Sequence, residues 1–191
     1  MSFFRNLFQS ERRAAERDLE RRLDILRAEI RAAREAGDLP ALTQVRERLG
    51  ALRLTEDDAE LELEMAAGVL EVAALQDGLT RGEDLPEVFT THRAVGSERC
   101  HFLAPAWRPD VAGDGGGKLL FTPQRLLYLG TASATLSWAH VAKVEDEGRD
   151  IVVRARPDRL LAFRCNSYVD TLRGAWIARQ LVCSKRTSPS R

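Results

Sequence analysis

Residues 117–129 read GKLLFTPQRLLYL, two short apolar runs on either side of a Thr-Pro-Gln turn. Apolar runs of this length, bounded by glycine and proline, are typical of β-strands rather than helices. The glycine-rich residues 113–117 lead into the first run and isolate it from what precedes it. This stretch therefore predicts an antiparallel hairpin, and the same pattern continues on both sides of it.

Further short apolar runs, separated by turn residues such as Asp146–Arg149 and Pro157-Asp158, extend the hairpin into a series of strands. An amphipathic helix follows, with Asn166 or Ser167 as its cap and Leu172 and Trp176 on one face. Seven antiparallel strands before one helix predict a strongly bent sheet or partly open barrel closed by that helix. The predicted strands are 98–105, 118–122, 125–129, 135–138, 141–144, 151–154 and 160–165.

The hairpin at 117–129, the segment Leu136–Val141 and the later runs resemble, in order, the strands of GRAM and bacterial PH-like domains. The resemblance spans about residues 98–182. It implies a PH-like barrel that binds anionic lipids or protein segments and has no catalytic activity. The loop between the first two strands departs from a phosphoinositide-binding pattern, because it offers only Arg108 and Lys118 beside acidic Asp110 and Asp114.

The first part of the chain has the period of helices instead. Leu19, Leu23, Leu26, Ile30 and Ala33 recur every three or four residues and form one apolar stripe. Gly37–Pro40 ends this helix, and a similar stripe follows from residue 42 to residue 52. The two stripes predict either a helical hairpin within the chain or a short coiled coil between two chains. A third helix begins at Thr55 or belongs to one long helix over residues 41–76.

These patterns together predict an α+β fold, with an N-terminal helical hairpin or short coiled coil and a seven-stranded antiparallel PH-like barrel closed by a C-terminal helix. The expected domain boundaries are a helical region at 1–79, a linker at 80–97, a PH/GRAM-like domain at 98–183 and a polar tail at 184–191.

Charge is divided along the chain although the formal net charge is zero. Residues 1–85 hold 13 basic and 19 acidic residues, and residues 86–191 hold 16 and 10. Arg154, Arg156, Arg159 and Arg164 lie in one predicted hairpin. Two hypotheses follow: these arginines pair with the acidic helices, or they form a basic patch for an anionic partner.

A second candidate binding element is the N-terminus, where four apolar residues would share one helical face. That face would dock on the protein itself or insert shallowly into a membrane interface. The candidate lipid- or partner-binding residues are Phe3, Phe4, Leu7, Phe8, Lys118, Arg154, Arg156, Arg159 and Arg164.

Motifs that would indicate catalysis are incomplete. The stretch GDGGGK at 113–118 resembles a phosphate-binding loop but lacks the earlier glycine and the Ser or Thr after Lys118. Cys100-His101 has no second cluster to complete a metal site, and the three cysteines show no CxxC spacing. We therefore expect no metal, no cofactor and no enzymatic activity.

The leading functional prediction is a non-catalytic adaptor or regulatory protein that binds a protein partner through the PH/GRAM-like domain and the N-terminal helices. The first alternative is a peripheral membrane protein that binds anionic lipid through the basic barrel face and the phenylalanines. The second is an enzyme whose site assembles only in the fold. Nucleic acid is not an expected partner, self-association through the helices is a further prediction, and the expected location is the cytoplasm or the inner face of the membrane.

Overall fold

The computed structural model describes residues 2–187, with side chains for residues 11–185. Five helices are present over these residues: α1 (Ser2–Ala36), α2 (Leu39–Thr43), α3 (Val45–Leu52), α4 (Glu60–Thr80) and α5 (Tyr168–Thr187). The seven strands are β1 (Phe102–Trp107), β2 (Gly117–Phe121), β3 (Arg125–Gly130), β4 (Ala134–Ser137), β5 (Val141–Glu147), β6 (Asp150–Ala155) and β7 (Arg159–Cys165). The predicted α+β class, with seven antiparallel strands and a closing helix, is confirmed.

The chain divides into two compact units, with the boundary between Leu70 and Glu71 inside α4. In the helical unit, α1 packs its predicted stripe against α2 and α3, and its core includes Leu26, Ile30, Leu42 and Leu49. The stripe is thus covered within the chain, as the hairpin alternative requires. Arg53 adopts a left-handed conformation and ends α3, so residues 41–76 are not one helix.

In α4, helical spacing predicts a buried apolar stripe made of Leu61, Met65, Val69, Val72 and Leu75, but Leu61 is exposed. The residues buried here are Ala59, just before the helix, and Glu62 and Ala66 of α4. Small side chains at two of them allow α4 to pack closely, and the third carries a carboxylate that pairs with Arg27. The buried face of this part of α4 therefore includes an ion pair that the hydrophobic pattern does not reveal.

The second compact unit begins at Glu71 and is called the PH-like unit. It contains one antiparallel sheet with the strand order β4-β3-β2-β1-β7-β6-β5. Strands that follow one another in sequence are neighbours in the sheet except β4 and β5, which are joined through a short 3₁₀ turn at Trp138–His140. The inward-facing side chains form a core with α5, where the ring of Phe121 stacks on Phe102 at 4.8 Å and meets Trp138 edge-on at 5.3 Å.

The hairpin of β2 and β3 forms because Thr122 organises its turn. The hydroxyl oxygen of Thr122 accepts from the main-chain N–H groups of Gln124 at 3.3 Å and Arg125 at 3.2 Å. The carbonyl of Thr122 accepts from the indole N–H of Trp138 at 2.7 Å. One turn residue thus fixes the hairpin and ties it to the connection between β4 and β5.

The start of β1 lies four residues beyond the predicted start at residue 98. Residues before β1 pack on the outer face of the sheet instead, where Val95 and Cys100 cover Leu120 and Leu127. The main-chain N–H of Val88 donates to the carbonyl of Cys100 at 2.7 Å and holds this segment in place. The predicted strand is therefore wrong over residues 98–101, where Cys100 packs in this outer layer.

Candidate functional site

The arginines of the β6–β7 hairpin have different surroundings. Arg154 contacts Glu145 on β5 at 3.0 Å, and Arg164 forms a two-pronged pair with Asp150 on β6 at 2.6 and 2.8 Å. Lys143 also contacts Glu145, at 2.6 Å. Lys143 and Arg154 lower the pKa of Glu145. The outer-face arginines are therefore paired with carboxylates on the neighbouring strands.

Arg156 and Arg159 are exposed, and the described side chains include no carboxylate in an ion pair with either of them. Arg156 follows β6 and lines a cavity together with Lys185 of α5. Arg159 begins β7 next to Leu160, whose side chain is 54% exposed. The structure thus places Arg156 and Arg159 in different local environments, although they are close in sequence.

Of the other candidate residues, only Lys118 lies among the described side chains. Lys118 is exposed on β2, and β1 separates it from β7 in the sheet. The backbone of residues 3–8 is helical, whereas the side chains of Phe3, Phe4, Leu7 and Phe8 lie outside the described residues. A combined basic and phenylalanine-rich surface therefore remains a prediction.

Strand β7 has an open edge over most of its length. β1 pairs with it only at Cys165 and Arg164, so no strand among the described residues 2–187 pairs with residues 159–163 on the side away from β6. Cys165 donates its N–H to the carbonyl of Arg149 on the β6 side. Because main-chain groups alternate along a strand, those of Leu160 and Ala162 point to the open side. We call this feature, residues 159–163, the β7 edge.

The two ends of the sheet differ from the β7 edge. The carbonyl of Val144 on β5 faces away from β6 and accepts from the guanidinium Nε of Arg179 at 3.1 Å. Arg179 also pairs with Asp146 and so covers the β5 edge with a charged side chain. At the other end, β4 is only four residues long. A strand edge that is short or covered by charge resists pairing with other chains, whereas the β7 edge retains that capacity.

The loop between β1 and β2 is held closed by its own residues. The carboxylate of Asp114 accepts from the hydroxyl of Tyr128 and from the main-chain N–H of Arg108, the latter at 2.7 Å. The guanidinium of Arg108 pairs with Asp110 and is largely covered. Within residues 108–118 the basic side chains are Arg108, which is engaged by Asp110, and Lys118, which is exposed.

These contacts have an expected consequence for acid stability. The Tyr128 hydroxyl, and then the Arg108 N–H, lower the pKa of Asp114, while burial raises the pKa of Tyr128. A carboxylate with a depressed folded-state pKa stabilises the fold above its unfolded pKa, and this contribution is lost as pH falls through the folded value. We expect Tyr128→Phe to raise the pKa of Asp114, measured by carboxyl ¹³C NMR, and to move acid unfolding to higher pH.

The control for that experiment is the Asp114→Asn background. There the Tyr128→Phe change should no longer alter the pH midpoint of acid unfolding, because the titrating partner is gone. An equal displacement of the midpoint in both backgrounds would show that the hydroxyl acts by packing rather than through Asp114.

Metal-ligating and thiol side chains were two kinds of group that the sequence singled out. No cluster of three or more metal-ligating side chains occurs in the described part of the chain. Burial raises the pKa of the Cys165 thiol to about 12 and also raises that of Cys100, so neither is poised as a thiolate nucleophile. The ring nitrogen Nδ1 of His101 lies 2.9 Å from the carbonyl oxygen of Pro86. Over the described residues, none of the helices has the length and apolar character needed to cross a bilayer.

Comparison with known proteins gave no match to any family profile and none to any curated protein sequence. Among solved structures, the C-terminal domain of an unknown protein from Leishmania infantum is 12% identical and covers 56% of this chain and 98% of its own, with a TM-score of 0.41. The PH domain of human TBC1 domain family member 2 protein is 12% identical and covers 55% and 93%, with a TM-score of 0.36.

A third similar structure contains the linker-DH/PH domains of p115-RhoGEF, at 11% identity and a TM-score of 0.41, over 78% of this chain and 55% of its own. These scores are low, so the fold assignment rests on the strand order and the packing of α5 in this chain. On that basis, the unit that follows Leu70 has a PH-like fold.

Proposed function

We propose that this chain is a non-catalytic adaptor or regulatory protein whose PH-like unit binds an extended segment of a protein partner along the β7 edge. The observation that carries the proposal is the unpaired side of residues 159–163, with exposed Leu160 near its start. An added strand would satisfy the main-chain groups of Leu160 and Ala162, and its side chains would contact Leu160. The assignment to the GRAM or bacterial PH-like branch, from the 117–129 hairpin, belongs to the same proposal.

The charges around this edge favour a partner segment that carries some acidic residues. Arg159 has no carboxylate partner among the described side chains, whereas Arg164 pairs with Asp150 and Asp158 lies in the adjacent turn. The local excess of positive charge is therefore small. Main-chain pairing would supply much of the affinity, and Arg159 would select for acidic side chains.

An anionic membrane is the weaker alternative because few basic groups remain unpaired. Each arginine near an anionic surface adds about 1 kcal/mol, and Arg154 and Arg164 already have carboxylate partners. Arg156 and Arg159 alone would hold the PH-like unit on a vesicle only weakly. A strand edge also offers hydrogen bonds that a polypeptide can use and an acyl chain cannot.

The test is selection of a displayed library of random dodecamer peptides against the full chain. We expect enriched peptides with alternating apolar and acidic residues, and about tenfold weaker binding to Ala162→Pro. Proline removes an N–H that points to the open side and leaves the pairing with β6 intact. Leu160→Asp should weaken binding similarly, and thermal unfolding should verify that both variants are folded.

Phe89→Asp is the matched control because Phe89 is 90% exposed but lies outside the β7 edge. It should leave peptide affinity within about twofold of wild type. Failure of any peptide to enrich, or equal binding to all variants, would reject the proposal. Co-sedimentation with phosphatidylserine-containing vesicles, lost in Arg159→Gln, would establish the membrane alternative instead.

A further inference from the structure

A second candidate site lies away from the β7 edge, in a cavity of about 370 Å³ within the PH-like unit. Its walls come from the connection between β4 and β5, the turn after β6 and the end of α5. The lining residues are Trp138, Ala139, Val141, Arg156 and Lys185. Two cationic side chains from distant parts of the sequence thus meet at one concave, partly apolar surface.

Both residues are held by hydrogen bonds to residues next to the cavity lining in sequence or space. The main-chain N–H of Arg156 donates to the carbonyl of His140 at 2.8 Å and fixes the turn after β6 beside the 3₁₀ turn. The ammonium group of Lys185 donates to the side-chain oxygen of Gln124 at 2.8 Å. The ammonium group of Lys185 therefore has further N–H groups that can donate to a ligand. The N–H groups of the Arg156 guanidinium can also donate to a ligand.

The charge of this pair is not balanced by the described side chains. Arg154, Arg164, Arg173 and Arg179 each pair with a carboxylate in the same unit. In contrast, no ion pair links Arg156 or Lys185 to a described carboxylate, and Lys185 hydrogen-bonds the neutral amide of Gln124. Two like charges that face one cavity repel each other, and a bound anion would replace that repulsion with attraction.

The apolar walls strengthen this preference for an anion. Trp138 and Val141 are almost fully buried and form the low-polarity side of the cavity. Water is partly excluded there, so attraction between a cation and an anion is less screened than on an open surface. A guanidinium can bind two oxygens of one carboxylate or phosphate group, and the ammonium adds a point charge.

We infer that this cavity binds an oxyanion carried by a side chain of the protein partner, either a carboxylate or a phosphorylated serine or threonine. The identity of the carrier rests on the proposed function, whereas the anion site itself is independent of the β7 edge. Arg156 contributes more than Lys185, because Lys185 also lines a neighbouring cavity of about 460 Å³ that contains Glu83 and Asp84.

The first experiment is an NMR titration of the full chain with inorganic phosphate at constant ionic strength, with acetate as the carboxylate probe. The reporter is the indole N–H resonance of Trp138, a residue that lines the cavity. We expect a saturable shift of that resonance. Arg156→Gln should weaken phosphate binding about tenfold, and Lys185→Gln should weaken it less.

The matched control is Arg93→Gln, which removes the same charge from an exposed position outside the cavity. It should change the dissociation constant by no more than about twofold. A shift that does not saturate, or that survives unchanged in Arg156→Gln, would overturn the anion site.

The carrier is tested with three probes: blocked phosphoserine, blocked glutamate and phosphatidylserine-containing vesicles. Binding of either amino-acid probe that requires Arg156 supports the inference. Arg156-dependent binding to vesicles alone would overturn the assignment to a protein partner. The anion site and the β7-edge proposal can fail independently. Ala162→Pro tests only the β7 edge, and it should leave the dissociation constant for phosphate unchanged.

Discussion

Replacement of Trp138 by alanine is expected to destabilise the PH-like unit by about 3–5 kcal/mol. Trp138 is almost fully buried and meets the ring of Phe121 edge-on. Its removal leaves a cavity in the core and also leaves the carbonyl of Thr122 without its indole donor. An unpaired buried carbonyl itself costs about 1–3 kcal/mol, so Trp138→Phe should retain part of the packing and still be clearly destabilised.

Urea unfolding followed by tryptophan fluorescence measures this effect on the correct unit. All three tryptophans of the chain, at positions 107, 138 and 176, lie in the PH-like unit. Trp107→Ala is the matched control, because Trp107 is half-buried at the outer end of β1 and its loss should cost less. Equal destabilisation by Trp107→Ala and Trp138→Ala would contradict the central role of Trp138.

Arg27→Met is expected to destabilise the helical unit by about 3–5 kcal/mol. The carboxylate of Glu62 on α4 is buried, and the guanidinium Nε of Arg27 on α1 contacts it at 2.7 Å. Removal of the arginine leaves a buried negative charge without its partner. Arg27 also pairs with Glu20 and Asp24 on α1. Both of these carboxylates are exposed, so the loss of their pairs with Arg27 should add little to the destabilisation.

The double variant Arg27→Met/Glu62→Leu separates charge from packing. A buried ion pair can be replaced by apolar residues at little cost, so the double variant should recover most of the lost stability. Helical ellipticity in urea is the measurement, since the helical unit contains no tryptophan. Arg21→Met should cost less than about 1 kcal/mol, because its pair with Asp18 is exposed. A double variant as unstable as Arg27→Met would contradict this explanation.

The number and order of the strands could be predicted from sequence because strands and turns are local. A strand shows as a short apolar or alternating run, and turn residues mark its two ends. These signals locate the ends of each strand to within a few residues. The hydroxyl oxygens of Thr122 and Ser167 each accept a hydrogen bond from a main-chain N–H three residues later, in the β2–β3 turn and at the start of α5. Both partners of such an interaction lie in the same short stretch of sequence and can be recognised there.

The candidate sites depend on contacts between distant residues, and sequence spacing does not reveal these. Arg154, Arg156, Arg159 and Arg164 look equivalent in sequence, yet Glu145 and Asp150 neutralise two of them across neighbouring strands. Arg156 meets Lys185 because α5 ends beside the turn after β6. Strand pairing also decides that the β7 edge is open and that the β5 edge is covered by Arg179.

The sequence by itself therefore determined the α+β class, the seven strands and the terminal helix of the PH-like unit, through periodicity and turn chemistry. Only the tertiary structure decided which charges are paired, which edge is unpaired and which acidic side chain is buried. The physical reason is that burial and electrostatic pairing depend on distances in space, and the sheet order brings residues together that are far apart along the chain.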